Sequence, residues 1–103
     1  MKSAMTYCCL IALLAAAPVS ASSPAEKLVC TSASRASWMP EKKIREVFGE
    51  QNFTLTKLKV SGGNCYEFYA IERDGSVVEA YYHPVTGAVK RYHRVPAAEV
   101  ARR

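Results

Sequence analysis

The sequence predicts a small exported α+β domain of two layers, in which a short N-terminal helix packs on an antiparallel meander of three to four strands closed by one disulfide. Three observations carry this reading. An apolar run near the N-terminus ends in small residues and leaves only two cysteines downstream. A single stretch, around residues 40–48, has apolar residues at helical spacing. The rest alternates between strand-forming tracts and Gly-containing turns.

The 103 residues allow one domain. Lys2 and the apolar run Cys8–Ala17, followed by Pro18 and Val19-Ser20-Ala21, read as a signal peptide with cleavage after Ala21. The run is about half of the roughly 20 residues a membrane span needs. Tyr7 before Cys8, and an apolar segment that follows the cysteines rather than preceding them, argue against lipid attachment. The expected organisation is therefore residues 1–21 as signal peptide, 22–37 as a flexible leader, 38–95 as the folded domain and 96–103 as a basic tail. The periplasm is the expected location, with secretion as the alternative.

Each element has a local cause. The leader is rich in Ser and Ala and is interrupted by Leu28-Val29-Cys30. Trp38 is expected to plug the sheet end beside the disulfide. Pro40 suits a first helical turn, and Glu41 suits the positive end of the helix dipole. Ile44, Val47 and Phe48 fall at i, i+3 and i+4, giving one apolar face, and Gly49 ends the pattern. A helix this short needs a sheet to pack against.

Phe53–Val60 alternates with a change of apolar parity between Leu55 and Leu58, which predicts a strand with a bulge near Thr56 or Lys57. Gly62-Gly63-Asn64 turns the chain into Cys65–Ile71, a tract of strand formers. Asp74-Gly75 is a hairpin signal leading into Val77–His83. Pro84–Gly87 makes a second tight turn in which Gly87 supplies the positive φ. Val89–Val95 is a polar edge strand whose Lys90, Arg91 and Arg94 discourage edge pairing. Tyr66, Phe68 and Ala70 share one face, and that face is expected against the helix.

Cys30 and Cys65 are the two cysteines of the mature chain, and an exported chain meets oxidising conditions, so they are expected to pair. The bridge closes a loop of about 35 residues and contributes on the order of 4 kcal/mol by chain entropy. Small domains need such help. A metal site would require His83 or His93 to join both thiols, and the close-spaced ligand pairs of zinc sites are lacking. No metal and no cofactor is expected.

A tryptophan ahead of a short helix, then Gly63-Asn64-Cys65-Tyr66-Glu67-Phe68-Tyr69-Ala70, then Asp74-Gly75 with Val78-Glu79-Ala80-Tyr81-Tyr82, then His83-Pro84-Val85-Thr86-Gly87, together resemble PepSY domains. They resemble in particular the small stand-alone exported versions of Gram-negative bacteria. The likeness covers roughly Cys30 to Tyr92. His83 stands where the family's D-P-x-T-G turn usually has an aspartate, which weakens a turn role for that side chain. The resemblance implies a module that inhibits or modulates a peptidase. It transfers no catalytic residue.

Two functional readings follow. In the first, the chain is a non-catalytic binding module for an envelope protein, a peptidase on the family resemblance, through Tyr69, Tyr81, Lys90, Arg91 and Arg94. Aromatic residues are common interface anchors, and pairing of an extended peptide with the last strand is one mode. At least half of the sheet aromatics are expected to be core instead. Trp38, Ile44, Val47, Phe48, Tyr66, Phe68, Gly75, Pro84 and Gly87 are assigned to core and turns. In the second, the net charge of +5 and the basic C-terminal strand and tail contact anionic lipid or lipopolysaccharide. Export argues against nucleic acid. Glu67 with Glu79, and His83 or His93, are the only residues that suggest acid–base catalysis, and alternating charges on a sheet surface are ordinary. The oligomeric state is not legible.

Overall fold

The computed structural model describes residues 28–103. The signal peptide reading, with Cys8 and Cys9, and the start of the leader lie outside the described residues. Helix α1 (Glu41–Phe48) is followed by β1 (Leu55–Val60), β2 (Tyr66–Ile71), β3 (Val77–Tyr82), β4 (Val89–Val95) and a single-turn α2 (Ala97–Val100). The four strands form one antiparallel sheet in the order β1-β2-β3-β4. Neighbours in sequence are therefore neighbours in space, as hairpin-length connections dictate.

Alternation along the strands separates the two faces. Tyr66, Phe68 and Ala70 of β2, with Val78, Ala80 and Tyr82 of β3, are buried in one cluster with Ile44 and Phe48 of α1. Phe48 makes most of the aromatic contact. Its ring stacks on Phe68 at 4.2 Å and on Phe53 at 4.9 Å, and meets Tyr82 edge-on at 6.0 Å. Offset and edge-to-face pairs of this kind add to the burial of area itself. Val47 differs from its expected place. It stands 41% exposed at the margin of the helix face, because one eight-residue helix directs only Ile44 and Phe48 squarely at the sheet.

The expected bulge in the first strand is absent. β1 pairs with β2 without interruption from Leu55↔Ile71 to Val60↔Tyr66. Leu55 accounts for the parity change, since it stands 42% exposed on the face away from α1. The irregularity lies instead between β3 and β4, where Tyr81 faces Arg91 but Tyr82 faces Val89, so Lys90 is the extra residue.

The leader is bound from Leu28 onward. Cys30 is disulfide-bonded to Cys65, and the Cys30 N–H donates to the Gly63 carbonyl at 2.9 Å. A Cβ on Gly63 would collide with the Leu28 carbonyl, so the backbones meet there as only glycine allows. Asn64 takes a φ of 62°, and its amide donates to the Thr31 carbonyl at 3.4 Å. Trp38 is half-buried, meeting Tyr66 edge-on at 5.4 Å and donating from Nε1 to the Ala33 carbonyl. Gly75 and Gly87, at φ 93° and 79°, form the two later turns.

Candidate functional site

Because α1 covers one side of the sheet, the residues of opposite parity form the other. Lys57 and Lys59 of β1, Glu67, Tyr69 and Ile71 of β2, Val77, Glu79 and Tyr81 of β3, and Arg91, His93 and Val95 of β4 share this second face by register. Tyr69 is 40% exposed near its middle. Two shallow hollows meet at its ring. One, of about 420 Å³, is lined by Lys57, Lys59, Glu67 and Glu79. The other, of about 400 Å³, lies where α2 returns, between Val77, Val95 and Val100 with Glu79, His93 and Arg103.

Tyr81 is closed off, at 5% exposed, and its hydroxyl donates to Glu67 Oε2 at 2.9 Å. Burial, that hydrogen bond and the charges of Glu67 and Glu79 push its phenol up to about 12. The phenol therefore stays protonated and holds the Glu67 carboxylate, which also lies 3.7 Å from Lys59 Nζ. Glu67 is thereby engaged as an acceptor within the sheet.

The five binding residues read from the sequence divide between the two sides. Tyr69, Tyr81 and Arg91 share the second face. Lys90 is the bulged residue. Arg94 faces the other way, opposite Val78. Arg94 donates from Nε and Nη2 to the two oxygens of Glu72, at 2.8 and 2.9 Å, and from Nη2 to Ser76 Oγ at 3.0 Å. The bond to Arg94 holds the Glu72 carboxyl below its ordinary value, and the Ser76 N–H does the same for Asp74. Ser76 is fully buried and also accepts from the Ala97 N–H, so this cluster ties the β2–β3 hairpin to the C-terminal segment.

His83 has a role that the sequence reading had discounted. Its Nδ1 accepts from the Val85 and Thr86 N–H groups at 3.1 and 3.3 Å, doing for this turn what an aspartate carboxylate does. The Pro84 carbonyl in turn accepts from the Met39 N–H at 2.8 Å, just ahead of α1. What sequence reasoning missed is the juxtaposition of Glu79 with His93, direct partners across β3 and β4. Strand alternation placed them on one face, but only the register makes them neighbours.

Among the described residues no three His, Cys, Asp or Glu side chains are grouped to hold a metal, and no helix is long and apolar enough to cross a membrane. A family model, PepSY_2, described as peptidase propeptide and YPEB domain, matches residues 6–92. The match begins within the stretch read as signal peptide and ends in β4. No curated protein and no solved structure gives a match.

Proposed function

The chain belongs to the PepSY family, and from that membership we propose that it is an exported, non-catalytic module that binds a peptidase of the cell envelope and modulates it. The observation that supports this is the division of the sheet. One face is filled by Phe48 and its aromatic neighbours, while the other carries Tyr69, 40% exposed, between two hollows rimmed by charges. An exposed aromatic with polar neighbours is the composition of a protein-binding surface. Two of the side chains that could do acid–base chemistry already have structural partners. Glu67 is held by Tyr81 and Lys59, and His83 is spent on its turn.

The test is to titrate the oxidised exported protein into the envelope fraction of the producing cell and follow hydrolysis of a fluorescent casein. A saturable change in rate is expected, weakened by Tyr69→Ala. A rate indifferent to the protein at every concentration would sink the reading.

Contact of the basic C-terminal strand and tail with an anionic surface is the second reading. Lys90 and Arg91 favour it, since neither forms an ion pair among the described residues. Arg94 and Arg103 weaken it, because Glu72 and Glu99 already pair with them.

A further inference from the structure

β4 is an edge strand, and among the described residues nothing pairs with its outer side. We propose that the outer edge of β4 over Arg91–Val95 is a docking strand for an extended acidic segment of a protein partner, one that alternates acidic and apolar residues. This deepens the proposed function and rests on the chain being a protein-binding module.

Three features of the edge choose that occupant. Lys90 bulges the start of the strand, so regular pairing begins at Arg91 and runs for five residues, a tract of about 17 Å. Along this tract Arg91 and His93 project to the second face, while Tyr92, 51% exposed, projects to the other. An added strand places its side chains in register with these. An acidic residue then lies beside Arg91 and an apolar residue beside Tyr92, while His93 already has Glu79 as its partner across the sheet. Arg91 has no acidic partner among the described residues, so its charge is available to the incoming strand.

The same charges select against other strands. Two copies of β4 edge to edge would bring like charges together, which penalises self-pairing. The opposite edge of the sheet, β1, is less suited. Lys59 is already 3.7 Å from Glu67, and the apolar residue exposed there, Leu55, lies on the same face as the lysines instead of alternating with them. An acidic strand on β4 gains main-chain hydrogen bonds for affinity and charge pairs for choice of partner.

Binding of a fluorescein-labelled peptide alternating Glu and Val between Gly-Ser ends, read by anisotropy on the oxidised protein, tests the proposal. Saturable binding is expected, with protection of β4 amides from hydrogen exchange. The Lys-for-Glu peptide should fail to bind. The acidic peptide carrying N-methyl groups on alternate backbone amides should lose about tenfold or more. Arg91→Glu should lose a similar factor, and Arg91→Ser, which removes the charge without reversing it, should lose less. Equal binding of the N-methylated peptide would show charge attraction without strand pairing and overturn the proposal. So would absence of binding, or retention on phosphatidylglycerol vesicles with no affinity for the peptide. Tight peptide binding with no effect on casein hydrolysis would refute peptidase modulation alone. A casein effect that persists in Arg91→Glu would refute the edge alone.

Discussion

At the end of the sheet where β1 turns into β2 and β3 into β4, the chain is held by covalent and main-chain ties. Cys30–Cys65 crosses it, the leader packs on Gly63, and the Tyr66 hydroxyl donates to the Met39 carbonyl at 2.5 Å. At the opposite end, the β2–β3 hairpin and the C-terminal segment meet through side-chain charge, with Arg94, Glu72, Asp74 and Ser76 in one cluster. A disulfide acts at any salt concentration and resists acid, whereas exposed ion pairs are screened by salt and titrate. The helix and its aromatic cluster are thus anchored at the covalent end, and the C-terminal segment that lines the second hollow hangs on the charged one.

The largest expected effect comes from breaking the covalent tie. Cys30→Ser should cost about 4 kcal/mol in chemical denaturation, and the amide of residue 30, which donates to the Gly63 carbonyl, should lose exchange protection while the Glu72–Ser76 hairpin keeps its own. Uniform loss at both ends would erase the distinction. Next, Phe48→Ala removes the ring between Phe53 and Phe68 and should cost about 3–5 kcal/mol, at both ends alike, because the core is shared. Gly63→Ala should cost about 1–3 kcal/mol by forcing the Leu28 carbonyl away, with the disulfide still formed by intact mass.

Acid acts on the charged end first. Glu72 and Asp74 have carboxyl pKa values below their ordinary ones, so they stabilise the fold above the usual carboxylate range. That stabilisation disappears as pH falls through their lowered values. Exchange at the hairpin should therefore rise in acid, and at high salt, before exchange at the disulfide end. Arg94→Ala should flatten that response; an unchanged acid response in this variant would remove the cluster from the account.

The smallest effects refine each end. His83→Ala should cost about 1 kcal/mol, and His83→Asp should restore it, since either side chain can accept from the Val85 and Thr86 N–H groups. Tyr81 is raised from the ordinary 10.0 of a phenol to about 12. Its contribution is complete below pH 10 and is lost as pH rises through the folded value. Burial raises Tyr66 and Tyr82 as well, so an ultraviolet titration should show several late phenols, of which that of Tyr81 moves down in Glu67→Gln.

Much of this was legible from residue order. Period and turn chemistry placed the helix and four strands, and they placed Tyr66, Phe68 and Ala70 on the helix face. The expectation of an oxidising destination led to pairing Cys30 with Cys65, and the structure has that disulfide. The misplaced bulge shows where such reasoning stops. A parity change at Leu55 is equally consistent with a kinked strand and with a leucine left on an open face, and only packing distinguishes them. For the candidate site, alternation gives the face that Tyr69 shares with Tyr81, but not that only the first of them stays open. Nor does it give the sealing of Tyr81 against Glu67, the capture of Arg94 by Glu72 and Ser76, or the use of His83 as an acceptor.

What the sequence determined alone is local. Backbone preference and hydrophobic period are properties of a few neighbouring residues, and they sufficed for the elements, their order and the layer they form. Which charged side chains remain available to a partner was decided by tertiary structure. Glu72 and Arg94 are 22 residues apart in the chain, and Cys30 and Cys65 are 35 apart. Only strand register and the closing of the leader bring such groups within a hydrogen bond's reach, because Coulomb attraction and hydrogen bonding depend on distance in space.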